Sequence, residues 1–193
     1  MNPYQTLLAM TFQSPRAAAR SILDMNWPRE ALLLALALTS VVNTLLLVLS
    51  ELLLPAVGGA AFGMPSLLYA GAAFGLHLGT CVLLTWTGRW IGGQGGFAGI
   101  LALTVWLNAL QIGLFAVVMV LHLILPLAAS LLAMLSNFVM LAIFVMFIQE
   151  AHKFSSIWRA IGALMMSAIL VALLISFLLG SQAPGLLGLP DHV

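Results

Sequence analysis

Residues 97–149 read FAGILALTVWLNALQIGLFAVVMVLHLILPLAASLLAMLSNFVMLAIFVMFIQ. The run is mostly apolar and carries no Asp, Glu, Lys or Arg. It is too long for one membrane crossing, which takes about 20 residues at 1.5 Å each. Two crossings fit. Pro126 interrupts helical hydrogen bonding, so the break is expected between residues 122 and 126, with helices over 98–122 and 127–149. Working outward, residues 31–54 form an earlier crossing, ended by Pro55, Gly58 and Gly59. Residues 67–87 form another, ended by Gly88 and Arg89. Residues 158–180 form the last, before a tail over 181–193 rich in Gly and Pro. The expected fold is all-α: a polytopic transmembrane bundle of five helices, preceded by a cytoplasmic segment over residues 1–30.

Composition agrees. Of 193 residues, 63% are hydrophobic and 6% charged, against about a quarter charged in a soluble domain. A soluble domain of this size could not hide that much apolar side chain. A β-barrel is excluded, because barrel strands alternate apolar and polar residues while these runs are continuous. The net charge of +1 gives no nucleic-acid character. Cys81 is the only cysteine, so no intrachain disulfide forms. The first thirty residues lack the h-region of a cleavable signal peptide, and the first crossing is expected to act as an uncleaved insertion signal.

The basic residues are Arg16, Arg20, Arg29, Arg89, Lys153 and Arg159. On five crossings all of them fall on one side, and the opposite connections and tail carry none. The positive-inside rule then puts the N-terminus in the cytoplasm and the C-terminus outside. Trp27, Trp86, Trp90 and Trp158 flank crossings on the cytoplasmic side, as an aromatic belt does. In the N-terminal segment, Ser14-Pro15 reads as an N-cap with proline at the first helical position. From residue 15 to 25, Ala18, Ile22 and Met25 share one face while Arg16, Arg20 and Asp24 share another. Such a short interfacial helix either lies on the inner leaflet with Arg16 and Arg20 at anionic head groups, or packs on the cytoplasmic ends of the bundle.

Each crossing carries polar residues near its middle: Asn43, His77, Asn108 with Gln111, Asn137, and Ser167. An amide facing lipid lacks partners, so these are expected to point inward. They serve either as interhelical hydrogen bonds, each worth about 0.6–2 kcal/mol, or as a polar pathway for a solute or lipid head group. No Asp, Glu, Lys or Arg lies near a midplane, which argues against a proton-coupled pump or voltage sensor. Gly71, Gly75 and Gly79 lie four apart, the spacing that lets another helix approach closely. Packing within the chain is the first expectation for them, and a partner interface the second.

The loop Gly92-Gly-Gln-Gly-Gly-Phe97 lacks the Gly-Lys-Ser/Thr ending of a phosphate loop and follows no strand, so it is read as a turn whose glycines take unusual backbone angles. Glu150 and Lys153 are placed to pair if the fourth crossing continues through them. His77 and Cys81 do not suffice for a metal, since zinc takes three or four ligands. His77 reads as a satisfied buried histidine, and the sequence calls for no metal and no cofactor. No nucleophile, base and orienting group occur together, so no enzyme is expected.

These motifs together resemble the bacterial branch of the Yip1 family. The resemblance rests on Ser14-Pro-Arg-Ala-Ala-Ala-Arg20 before Trp27-Pro-Arg-Glu30, on Gly92–Phe97 leading to Trp106 and Gln111, and on Glu150-Ala-His-Lys-Phe-Ser-Ser156 leading to Arg159-Ala-Ile-Gly162, with five crossings in matching order. It implies five helices with a cytoplasmic N-terminus and a non-cytoplasmic C-terminus. Eukaryotic relatives bind prenylated small GTPases through a longer hydrophilic N-terminal region. This sequence lacks the Asp-Leu-Tyr-Gly-Pro-type motif found there, so GTPase binding is not carried over. The expected function is a non-enzymatic scaffold or accessory protein of a bacterial-type inner membrane. Its expected partners are membrane lipids, other membrane proteins or a second copy of itself. The alternative is a small transporter, channel or lipid scramblase working through the polar layer.

Overall fold

The structure, a computed structural model, describes residues 3–54 and 65–179, with seven helices. Five are long and apolar enough to cross a membrane: α3 (Arg29–Leu53), α4 (Ser66–Trp90), α5 (Phe97–Ile124), α6 (Pro126–Ala151) and α7 (Ile157–Leu179). The expected helix-ending residues Pro55, Gly58 and Gly59, and the tail over 181–193, lie outside the described residues.

The break in the long apolar run is a single residue. Leu125 ends α5, its N–H bonded to the Leu121 carbonyl, and also stands at the N-cap of α6. Pro126 takes the first helical position, where its missing N–H costs no intrahelical bond. So the proline that forbids one continuous helix starts the second. The helix α4 runs past the expected stop at residue 87, through Gly88, to Trp90. The N-terminal segment holds two helices where the sequence reading placed one: α1 (Pro3–Gln13) and α2 (Pro15–Asp24). Ser14 does stand at the N-cap of α2 ahead of Pro15, but its hydroxyl makes no capping bond.

Successive crossings run antiparallel. The helix α5 packs on α3, α4 and α6, and α7 packs on α4 and α6. The surface is inside out for water: Leu38, Phe138 and Phe177 are 63%, 65% and 85% exposed. In lipid that exposure carries no hydrophobic penalty, and helix association rests on packing and polar contacts instead. The starts of α3, α5 and α7 and the ends of α4 and α6 share one end of the bundle. Arg29, Arg89, Lys153 and Arg159 sit there, as do the exposed rings of Trp27, Trp86, Trp90 and Trp158.

The short helix α2 docks at that same end. The helix α2 packs on α6 and α5, burying Ala18, Ala19 and Ile22. Its fit is close: a Cβ on Gly99, in the first turn of α5, would lie 2.8 Å from Leu23 Cδ2. Met25, expected on the apolar face, falls beyond the helix and is exposed. The indole Nε1 of Trp106 donates to Thr11 Oγ1 at 3.1 Å and ties α1 to α5.

Candidate functional site

The first region is a cavity of about 50 Å³ between α3, α4 and α5, with several polar side chains in a partly apolar lining. Thr39, Ser40 and Asn43 line it from α3, His77 with Ala73 from α4, and Asn108, Gln111 and Ile112 from α5. The structure thus brings Asn43, His77, Asn108 and Gln111 together. Each sits near the middle of its helix, at the depth where hydrocarbon would surround it. The Nδ1 of His77 lies 2.8 Å from the Ala73 carbonyl, which can only accept, so Nδ1 carries the proton. The hydroxyls of Thr39 and Ser40 each donate to the Leu36 carbonyl at 2.9 Å.

Two other midplane residues lie elsewhere. Asn137 is exposed on the outer side of α6 and does not line the cavity. The expectation that every midplane amide turns inward fails there. The helix α6 is apolar around its whole circumference, so its amide does not determine its rotation. Ser167 instead pairs with Thr87 at 2.7 Å, joining α7 to α4. Thr104 shares a face of α5 with Asn108, but it is buried against Cys81, whose Sγ lies 3.3 Å from its Oγ1.

The second region is the glycine face of α4. A Cβ built on Gly71, Gly75 or Gly79 meets no other atom within 4 Å. Gly71 and Gly75 are exposed. Among the described residues no helix packs against them, so the packing within the chain that was the first expectation for these glycines is not seen there. The intrachain contacts of α4 fall on its other sides, at Ala70, Cys81, Leu84, Thr85, Thr87 and Gly88.

The third region is a polar knot at the basic end. Arg16 donates to Gln149 Oε1 at 2.7 Å, and Arg20 pairs with Glu150 at 3.1 Å. Of the two alternatives for α2, the structure has the one docked on the bundle. Arg20 remains 63% exposed by side chain and so still faces the surroundings. The expected pairing of Glu150 with Lys153 is replaced by the Arg20 pair. The helix α6 ends at Ala151, and Lys153 lies beyond it with φ of 54°.

By sequence alone His152, within the stretch from Glu150 to Ser156, had no role of its own. The structure buries it at 1% exposure, in a cradle of backbone. Gly95 N–H donates to its Nδ1 at 3.1 Å, and Gln94 N–H to its carbonyl at 3.0 Å. Arg89 Nε holds the Gly95 carbonyl at 3.0 Å. The ring stacks on Phe154, with centroids 5.1 Å apart. A Cβ on Gly93 or Gly95 would lie 2.5 or 2.6 Å from Nδ1, and one on Gly88 would overlap the ring. Three of the loop's neighbouring glycines are therefore needed for close approach. Gly92 alone takes a positive φ, 92°. The available signal was a cluster of glycines on one side and a lone His at a helix end on the other.

Because Nδ1 accepts from Gly95, the neutral ring carries its proton on Nε2, which makes no hydrogen bond. Burial pushes the His152 imidazole below its ordinary range. The facing Leu84 carbonyl opposes this without completing a bond, and the charge of Arg89 adds to the lowering. An unfolded chain, with the ordinary value of about 6.5, binds a proton that the folded chain refuses. Stability from this group is therefore complete above about pH 6.5 and falls as pH drops from there toward the lowered value. Unfolding midpoints at pH 7.5 and 5 are expected to differ in that direction. His152→Asn is expected to remove this part of the difference, and an unchanged pH profile in that variant would contradict the account.

Five antiparallel crossings, with their basic residues gathered at one end and apolar side chains turned outward, define a multi-pass membrane protein. A family model described as the Yip1 domain matches residues 10–178. The chain belongs to the Yip1 family. No curated protein and no solved structure matches it.

Proposed function

We propose that this Yip1-family protein is a non-enzymatic scaffold or accessory subunit that holds another transmembrane helix against α4. The observation that carries the reading is the open face at Gly71, Gly75 and Gly79. Glycine gives up about 0.8–1 kcal/mol of helix propensity relative to alanine at each position. What it offers in return is a close approach of backbones, which no described helix of this chain uses. The occupant is a helix of another membrane protein or of a second copy. The segregation of basic residues supports a cytoplasmic N-terminus and an outer C-terminus, in a bacterial-type inner membrane. The exposed side of Arg20 leaves a contact to lipid head groups at the same surface.

Gly75→Leu adds a side chain into open space, so the fold should be kept while the interface is lost. Association, read by size and by the proteins copurifying in a lipid-retaining system, is expected to weaken about tenfold, the equivalent of one lost packing contact. Unchanged size and partner content in a folded variant would sink the reading.

The shared cavity favours a second reading, in which the polar layer serves a solute or a lipid head group. Flux in proteoliposomes that survives alanine at His77, Asn108 and Gln111 together would exclude that route.

A further inference from the structure

We propose that the cavity between α3, α4 and α5 binds the uncharged, hydroxyl-bearing head of a membrane lipid. The inference deepens the second reading, because it requires binding at this place but no passage across the membrane.

The argument starts from unpaired groups. Among the described residues, the carboxamides of Asn43, Asn108 and Gln111 have no hydrogen-bond partner in the protein. Such groups at mid-depth cost several kcal/mol each, roughly, if nothing satisfies them. They do not satisfy one another here. The His77 proton is spent on the Ala73 carbonyl, which leaves Nε2 as an acceptor. The Thr39 and Ser40 hydroxyl protons are spent on Leu36, which leaves two oxygens as acceptors. Only the amide NH₂ groups donate, so acceptors outnumber donors around the cavity. A ligand group must both accept and donate, and a hydroxyl does both.

Charge narrows the class further. No Asp, Glu, Lys or Arg lines the cavity. A phosphate or an ammonium group would enter hydrocarbon depth uncompensated, at a cost of some kcal/mol. The ligand is therefore neutral. Size and access argue for a lipid. A volume of about 50 Å³ takes a head of a few heavy atoms, since a single water needs roughly 10–15 Å³. Gln111 is exposed at the middle of α5, so the cavity opens sideways to acyl chains. A polar head fits inside while its tails stay in the bilayer.

The probe is a diacylglycerol carrying a diazirine near its free hydroxyl, in phosphatidylcholine nanodiscs holding the full chain. Photolabel is expected on α3, α4 or α5 near the cavity. It should fall about tenfold in Asn43→Leu and Asn108→Leu, the loss of one or two hydrogen bonds in lipid. It should not change in Asn137→Leu, which removes an amide outside the cavity. Each variant's unfolding midpoint is measured alongside. A leucine variant that unfolds early is replaced by its alanine counterpart, so that labelling is always read on folded protein.

Equal labelling by a phosphatidylcholine diazirine overturns the proposal. So does labelling indifferent to both cavity substitutions, or no labelling at all, as expected for a cavity holding water only. Competition by free glycerol overturns the lipid source and assigns the site to small polyols. Selective labelling without lipid flipping in proteoliposomes upholds the site and sinks transport. Flipping that persists without labelling does the reverse.

Discussion

Gly88→Val is expected to lower the unfolding free energy by about 2–6 kcal/mol, though it adds only a small apolar side chain to a mostly apolar helix. A Cβ at this position falls on the His152 ring. Gly88 and the ring are both buried, and Gly93 and Gly95 close off the sides into which the ring would move. Overpacking of this kind costs about 1–3 kcal/mol. Expelling the ring also breaks the bond from Gly95 and disturbs the one from Gln94, at about 0.5–1.5 kcal/mol each. The measurement is reversible unfolding in mixed micelles. The decisive companion is Gly88→Val with His152→Ala. Removing the ring makes room for the new side chain, so the double variant should be more stable than the two single losses summed, by about 0.5–3 kcal/mol. Simple additivity would show that Gly88 and His152 are not coupled as the geometry requires.

Phe147→Ala is expected to cost about 3–5 kcal/mol, while Phe138→Ala, on the same helix, changes stability by less than about 1 kcal/mol. The residue type and the helix are shared, and only burial differs. Phe147 is fully enclosed, within a cluster that includes Ala18, Ala19 and Ile22 of α2, whereas Phe138 is 65% exposed. Lipid is as apolar as the core, so transfer from water cannot be the source of the difference. The loss at Phe147 is one of dispersion contacts around a cavity that acyl chains do not fill. Equal losses at both positions, in the same unfolding assay, would refute this.

The crossings were legible because lipid simplifies the code. A spanning helix needs only length, apolarity and a stop, and Pro126 and the basic residues supply the stops and the order. An inward direction for Asn43, His77, Asn108 and Gln111 was open to expectation because hydrocarbon offers amides no partners, whereas their meeting in one cavity was not, since it depends on helix rotation. Helix rotation was not legible. The helices α4 and α6 are apolar nearly all round, so no amphipathic stripe says which side faces in. That is why Gly71, Gly75 and Gly79 turned out to be open and Asn137 to lie outside. The helix α1 was missed because its sequence, PYQTLLAMTFQ, mixes polar and apolar residues without a strong face. The His152 cradle joins residues 57 apart in the chain, and no local pattern announces such a contact.

That separation has a consequence for how the protein is made. The loop after α4 takes its place by bonding to His152, which the ribosome adds only after α5 and α6. Until then Gln94 and Gly95 lack these acceptors, and Arg89 holds a carbonyl that nothing else fixes. The α4–α5 hairpin is therefore synthesised before its loop has the His152 bonds, held only by local ones such as Gly93 N–H to the Gly88 carbonyl. The arrival of the α6–α7 turn fastens it, and the same stretch of chain supplies Gln149 and Glu150 to the waiting arginines of α2. One late segment locks two earlier ones.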